Sequence, residues 1–433
     1  MKTRLNFWSF VLSVFFCFES FAQIGTPQQL TGQKDDETLN TITTAVPFLI
    51  ISPDSRSGAM GDVGVALSPD ANSIHWNPSK LAFAEEELEL SLSVSPWLSQ
   101  LVDDMYLSYL SGYRKLNSSS AIGASLRFFS LGDITFTDIN GQEIRVFKPS
   151  EFALDGSYAI KLSEKFSGGI TARYVNSNLT GGINVGGAES RPGRSFAVDV
   201  SGYYVNDDME LGNKDATLAF GFNISNIGSK MAYTNTADRD FIPTNLRLGP
   251  ALTLDLDDYN SLTFAFDINK LLVPTPPVYF RDSLGTPEID PATGEFLIAA
   301  GRDPNVGVAS GIFGSFSDAP GNVSIFQNGD VEVESGSVFR EEMREFNIGA
   351  GIEYWYDKQF ALRSGYFYEH PTKGDRQFFT FGLGMKFRTV AFDASYLVAA
   401  QQRNPLANTI RISLKLNFNG SSSVGGDDGP PQE

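Results

Sequence analysis

From Leu88 onward, apolar and polar residues alternate with a period of two. In 217–225, Leu218, Phe220, Phe222 and Ile224 fall on one face, and Thr217, Ala219, Gly221, Asn223 and Ser225 on the other. Segments 152–162, 262–269, 346–354 and 410–418 repeat the pattern. In a soluble sheet each apolar face would need a second layer to cover it. Here nearly every segment pairs an apolar face with a polar, glycine-rich one, the arrangement of a closed sheet with lipid outside and a polar interior. The predicted strands are 88–95, 104–113, 119–130, 151–162, 166–177, 194–205, 215–226, 243–254, 261–269, 345–356, 359–370, 376–387, 390–398 and 408–418. Each is near the ~9–11 residues of a tilted spanning strand. The expected fold is therefore all-β, a transmembrane antiparallel barrel of about 14 strands over 88–418.

The connections test that count. Those after even-numbered strands are short: 114–118, 163–165, 257–260, 357–358 and 388–389. Those after odd-numbered strands are mostly longer: 131–150, 178–193, 227–242 and, above all, 270–344. Barrels of this kind have short periplasmic turns and longer extracellular loops. The alternation predicts a periplasmic N-terminus and an extracellular 270–344 loop. The longish connection 207–214 is the exception, on the short-turn side.

The ends lie outside the predicted wall. Lys2 and Arg4 precede an apolar run, 7–18, and Ser20-Phe21-Ala22 offers small residues for cleavage after Ala22. This predicts a signal peptide over 1–22; its run is too short for a transmembrane helix. Residues 23–87 are expected to form a periplasmic or lumenal plug, with a polar stretch followed by a denser segment, 47–84. The Gly/Ser/Asp/Pro-rich tail, 419–433, is expected to be disordered.

Composition narrows the function. Cys17 is the only cysteine and leaves with the signal, which excludes disulfides, zinc-thiolate sites and thiol nucleophiles from the mature chain. A net charge of −18 argues against nucleic acid as a partner. The 35 Phe and 41 Gly suit a wall whose phenylalanines face lipid while glycines pack inside. The two histidines, His75 and His370, sit in no hydrolase or metal motif. No catalytic, cofactor or metal site is predicted. His75 is expected to bond locally, and His370 to face solvent.

The N-terminal segment carries the densest motif: Gly58, Gly61 and Gly64 at spacing three, Asp62 between them, Asp70-Ala71-Asn72-Ser73, then Trp76-Asn77-Pro78. Bare glycine faces suit close packing, Asp70 and Asn72 are turn formers, and Asn77-Pro78 can open a short helix. Gly61-Asp62-Val63-Gly64-Val65-Ala66 with the Trp-Asn-Pro string resembles the N-terminal signature of fatty-acid-transporter-type (FadL-like) barrels. The fuller string, 47–78, and the loop sequence 310–321 are similar to the PorV branch, an outer-membrane component of the type IX secretion system of Bacteroidetes. The resemblance implies a non-catalytic carrier. Such a protein takes the C-terminal sorting domains of secreted proteins from the large translocon barrel and passes them to a cell-surface attachment complex with a sortase-like protease. It also implies outer-membrane lipid as surroundings.

Within 270–344, Ile312, Phe313 and Phe316 have the spacing of one helical face, so they form either an apolar knob for a partner or the underside of a helix buried beneath its own loop. Trp97 and Leu98, in the first long connection, read as interfacial aromatic girdle or as a second partner contact. Inward positions Asp155, Lys161, Asp267, Glu353, Arg363, Lys386, Arg411 and Lys415 carry both signs, which predicts a lumen tied by ion pairs or a polar conduit. Two other functions fit the pattern: a FadL-like channel for hydrophobic small molecules, for which Gly249-Pro250 is a candidate kink in the wall, and a lipid A deacylase, for which no local pattern pairs nucleophile and base.

Overall fold

The first strand shows why this sheet closes in lipid. Leu88–Pro96 buries Glu89, Ser91, Ser93 and Ser95 and exposes Leu90, Leu92 and Val94. That inverts the pattern of a soluble strand, because the apolar side chains face hydrocarbon and the polar ones a packed lumen. A computed structural model describes residues 39–98, 104–137, 140–182, 184–185, 188–234, 239–282, 284–326, 329–400 and 406–418. The predicted signal peptide, residues 23–38 and the tail lie outside the described residues.

Fourteen antiparallel strands close into one barrel. They are β1 (Leu88–Pro96), β2 (Met105–Lys115), β3 (Ser120–Leu131), β4 (Ser150–Lys161), β5 (Phe166–Asn178), β6 (Gly193–Leu211), β7 (Lys214–Gly228), β8 (Asn245–Asp255), β9 (Ser261–Leu271), β10 (Asn347–Tyr356), β11 (Phe360–Tyr368), β12 (Gln377–Phe387), β13 (Val390–Ala399) and β14 (Ile410–Phe418). Each strand pairs with its sequence neighbour, and β1 pairs with β14 from Leu88↔Phe418 to Val94↔Ile412. The anticipated alternation of turns and loops holds without exception. The longish connection expected at 207–214 is instead strand: β6 runs to Leu211 and β7 starts at Lys214, with a register shift between Asn206 and Met209. Its charged residues, Asp207, Asp208 and Glu210, end the apolar alternation, but the backbone ladder continues beyond it into solvent.

The described part of the 270–344 connection contains regular elements. The long connection carries hairpins Val278–Tyr279 with Ile298–Ala300 and Val323–Ile325 with Val331–Val333. It also carries a short helix, Val308–Gly314, and a longer one, Ser337–Arg344. The first packs Gly311 on Phe241 and Pro274, and Glu342 of the second pairs with Lys270 at the end of β9.

The N-terminal segment threads the lumen from rim to rim. Asn40 donates its backbone N–H to Thr372 O at 3.0 Å and its side-chain amide to Pro276 O and Glu341 Oε1, all in long loops. Ala45, Val46, Phe48 and Leu49 then pack on Leu107, Phe129, Ala153 and Val175. Ala71, Ile74, Leu81 and Ala84 pack on Tyr113, Ala121 and Ala159 towards the opposite rim. There Lys115 Nζ bonds Ala84 O at 2.8 Å, just before β1 begins. The sequence predicts a periplasmic N-terminus, on the short-turn side; residues 1–38 lie outside the described residues, and the chain at Asn40 lies at the long-loop rim. Strand parity fixes only where β1 starts and says nothing of a segment that crosses the lumen before it.

This path makes a topological prediction. Cysteine placed at Thr41 should be labelled by an impermeant maleimide on intact cells, as should cysteine at Gly329, while cysteine at Asp357 should stay unlabelled. Labelling of position 357 alone would invert the orientation, and opposite behaviour of 41 and 329 would refute the threading.

Candidate functional site

The plug is built from two short turns of helix and the backbone between them. Asp54 caps the helix Ser55–Gly58, accepting from Ser57 N at 3.0 Å, and its other oxygen accepts from Trp76 Nε1 at 2.6 Å. One carboxylate thus joins both halves of the motif. Asn77 accepts from Ser79 N at 3.2 Å, which opens the 3-10 turn Pro78–Phe83. Its amide donates to Val65 O at 2.9 Å and to Gly202 O at 3.0 Å on β6. Asp70 accepts from Asn72 N at 3.0 Å, the local turn expected of that pair.

Each glycine marks a place where backbone meets backbone, guanidinium or indole. Gly58 lies under the Arg411 side chain, and Gly64 lies against the Trp76 indole. Gly61 has φ of +73°, and a Cβ there would sit 2.5 Å from Tyr366 O on β11. Its N–H donates to Thr380 Oγ1 at 2.8 Å. Gly64 and Val65 both donate to Asp267 Oδ2, at 2.8 and 3.0 Å. Lys80 Nζ reaches back to Gly64 O at 2.7 Å. Asp62 also has positive φ, and its carboxylate lies 3.8 Å from Arg411 Nη1.

Around this plug the lumen charges close into rings. Arg56 holds Glu353 through two bonds, at 2.8 and 3.0 Å. Glu353 also accepts from Arg363 Nε at 2.6 Å, and Arg363 reaches over Gly384 to Asp393 at 2.6 Å. Lys415 joins Asp393 at 3.1 Å and Asp70 at 3.5 Å, and Asp70 returns to Arg56 at 3.8 Å. Three cations and three carboxylates alternate around this circuit, which leaves no net charge. On the other side of the barrel Arg173 bridges Asp155 at 2.7 Å and Asp199 at 3.0 Å. Of the inward charges read from sequence, Asp155, Asp267, Glu353, Arg363, Arg411 and Lys415 are buried in the lumen; Lys161 and Lys386 are half-exposed. Arg56, Asp70, Arg173, Asp199 and Asp393 are members that the sequence reading does not include. Arg173, Asp199 and Asp393 occupy the polar parity of their strands, so period two could have found them. Arg56 and Asp70 stand in irregular chain that carries no period.

The partner candidates sit at the loop rim. Phe313 is 80% exposed, at the end of the helix Val308–Gly314, while Gly311 on its inner side packs against Phe241 and Pro274. Ile312 is half-buried. Phe316 lies past the helix end, with its ring 5.7 Å from Lys270 Nζ, so the single helical face expected for the three is split. Trp97 and Leu98 are half-buried against Phe367, Phe378, Leu397 and Leu406, which ties them to the rim rather than to an outward girdle. His75, expected to bond locally, instead bonds Arg127 on β3 at 2.6 Å, because the plug packs against the wall; His370, expected in solvent, is half-buried beside Thr372 at 3.0 Å.

Beneath the long loop lies a second ion-pair cluster. Lys270 bonds Glu345 at 2.5 Å and Glu342 at 3.2 Å, and Lys373 bonds Glu345 at 3.0 Å and Glu341 at 2.7 Å. Asp318 is buried next to it, accepting from Thr275 N at 3.3 Å through one oxygen. Burial, with Glu342 and Glu345 as like-charged neighbours, pushes the Asp318 carboxyl up to about 6 against the pull of the Thr275 bonds. Among the described residues no group of three or more His, Cys, Asp or Glu could hold a metal ion.

Residues 33–278 match the family described as type IX secretion system protein PorV. The match spans more than half of the sequence. The chain belongs to the PorV family. It is accordingly an outer-membrane component of the type IX secretion machinery, with a transport role and no catalytic one. Similar solved structures include the toluene transporter TbuX of Ralstonia pickettii, at 11% identity and a TM-score of 0.45 over 86% of this chain and 100% of that one. The toluene transporter TodX of P. putida has 13% identity and a TM-score of 0.45 over the same shares. A FadL homologue of Pseudomonas aeruginosa has 11% identity and a TM-score of 0.40, over 88% of this chain and 100% of that one. No curated protein matches the sequence.

Two outcomes follow for the PorV-family chain. Replacing Gly61 with Leu should cost ~1–3 kcal/mol or more from overpacking, with a further ~1–2 kcal/mol from the left-handed backbone. Heat-modifiability on gels should then show loss of the assembled barrel, and a normal yield would mean that the plug does not pack against β11. The second concerns Asp318. Its folded pKa lies above the unfolded 3.8, so the loop is most stable with the carboxyl protonated and loses that stability as pH rises through about 6. Limited proteolysis of the loop, normalised to an unfolded substrate at each pH, should be slower at pH 5 than at pH 7.5. Asp318→Asn should remove the difference; persistence of the full difference would assign it to another group.

Proposed function

We propose that this barrel binds the C-terminal domains of secreted proteins at its long-loop rim and carries them from the large type IX translocon barrel to a sortase-like attachment complex. Export by a signal peptide over 1–22, cleaved after Ala22, is part of the same reading. Phe313 carries the proposal. An aromatic side chain held out into solvent on a helix whose inner side is pinned by Gly311 on Phe241 has no folding role at that position. The ion pairs of Lys270 and Lys373 hold the loop base rigid beneath it, so little ordering entropy is lost on docking. Interface energy concentrates in a few such anchors. Ile312 and Phe316 flank it; Trp97 and Leu98, packed on the rim, contribute less to a contact.

A second reading, a channel for hydrophobic small molecules, is favoured by one feature. An apolar recess of about 580 Å³ opens on the outer wall between Pro250, Phe264, Ile352 and Tyr366. The β8–β9 ladder lacks pairs at Gly249 and Pro250. Behind the recess, however, the Met60 and Gly61 backbone packs directly on Gly351 and Gly365, and the charge circuit crosses the lumen.

The experiment separates the two. Phe313→Asp, alone and with Phe316→Asp, should leave barrel abundance in the outer membrane unchanged and should reduce secreted and surface-attached cargo. A lost anchor of ~2 kcal/mol corresponds to about thirty-fold in affinity. Unchanged secretion at normal barrel levels would reject the helix as the docking element. Lost uptake of hydrophobic compounds with intact secretion would favour the channel.

A further inference from the structure

The segment that enters the lumen at the loop rim is left unfinished as a strand. Residues 41–44 read Thr-Ile-Thr-Thr, four β-branched residues of high strand propensity. They run between two anchors: Asn40 N–H bonds Thr372 O, and Ala45 N–H bonds Phe241 O at 2.9 Å. In extended chain, successive N–H groups point to opposite edges. Residues 41–44 carry no helix or turn; run out as extended chain between these anchors, their even-numbered edge faces the Thr372 side and their odd-numbered edge the Phe241 side. Among the described residues the backbone groups of Thr41, Ile42, Thr43 and Thr44 have no backbone partner. Thr41 and Thr43 are exposed.

A cleft of about 280 Å³ runs beside Thr43 on the Phe241 side. Its walls include Pro274, Pro276, Pro277 and Pro304, with Phe241 and Tyr279. Proline has no N–H, so those residues cannot donate to an incoming strand and leave Thr41 and Thr43 as the available ladder. The same Phe241 supports Gly311 of the helix that presents Phe313, so the cleft and that helix share one wall residue. An occupant that fits must offer unpaired backbone along an edge, side chains that suit a cleft walled by proline and aromatic rings with Lys230, Arg239 and Asp240 beside them, and an apolar group for Phe313. That is an extended segment of a protein, and a lipid or small solute offers no backbone ladder.

We propose that the odd-numbered edge of residues 41–44 is a strand-addition site, at which an extended segment of the secreted partner pairs with the backbone of Thr41 and Thr43 and seats its side chains in the proline-lined cleft. The proposal rests on the carrier reading above and specifies how the partner is held. Backbone pairing is tolerant of sequence, which suits a carrier that must accept many proteins through one surface.

The test contrasts the two edges in the full-length barrel in detergent, with the purified C-terminal domain of a secreted protein from the same cells as probe. Thr41→Pro with Thr43→Pro removes the odd-edge donors, whereas Ile42→Pro with Thr44→Pro removes the even-edge ones; proline's φ suits extended chain in both cases. We expect the first variant to bind about tenfold more weakly or worse, as expected for two lost ladder bonds, and the second to bind within about twofold of the parent. In the unmodified barrel, amide exchange at Thr41 and Thr43 should slow on binding while that at Ile42 does not. Equal affinities for the two variants, or unchanged exchange at 41 and 43 in a barrel that binds the domain, would overturn the strand-addition site and leave the carrier reading standing. A parent barrel that does not bind the domain would overturn both.

Discussion

A closed barrel lined with carboxylates and guanidinium groups must neutralise them where little water reaches, and this constraint ties the plug to the wall. The circuit of Arg56, Glu353, Arg363, Asp393, Lys415 and Asp70 takes two members from the N-terminal segment and four from β10, β11, β13 and β14. Without the segment, Glu353 would keep one guanidinium and Lys415 would lose one carboxylate. Breaking a buried pair costs about 3–5 kcal/mol, because the remaining charge stays unmatched. The wall and the plug therefore stabilise one another, and the glycines of the motif let the segment approach closely enough for these pairs to form.

The same logic governs the loop rim on a smaller scale. Lys270 at the end of β9 and Lys373 beyond β11 gather Glu341 and Glu342 from the helix Ser337–Arg344 and Glu345 just past its end, so a very long connection is fixed to the rim. Asn40 joins this assembly through Glu341 and Pro276. The plug thus has a foot in each rim. Its upper end bonds Pro276 and Glu341 of the long loop, which joins lumen and rim in one mechanical unit.

The wall was legible from sequence because period two survives in a barrel whose two faces meet different media. Leu90, Leu92 and Val94 against Ser91, Ser93 and Ser95 carry the whole argument for β1. Where the outer face leaves lipid, the signal stops although the strand does not, and β6 beyond Val205 was therefore read as a turn. The loop candidates were only partly legible: the spacing of Ile312, Phe313 and Phe316 suggests one helix face, but the helix ends at Gly314 and the Phe316 ring lies near Lys270.

The sequence by itself determined the barrel, its strand count and the compact glycine-rich plug, because alternation and bare glycines are local properties of the chain. The path of that plug was decided only by tertiary structure. Whether residues before β1 hang below the barrel or run up through it depends on Asn40 finding Thr372, Pro276 and Glu341, more than two hundred residues away. The charge circuit has the same character. Arg56 and Asp70 lie in irregular chain, and what selects their partners is the shape of the closed lumen, which brings β10, β11, β13 and β14 around one point.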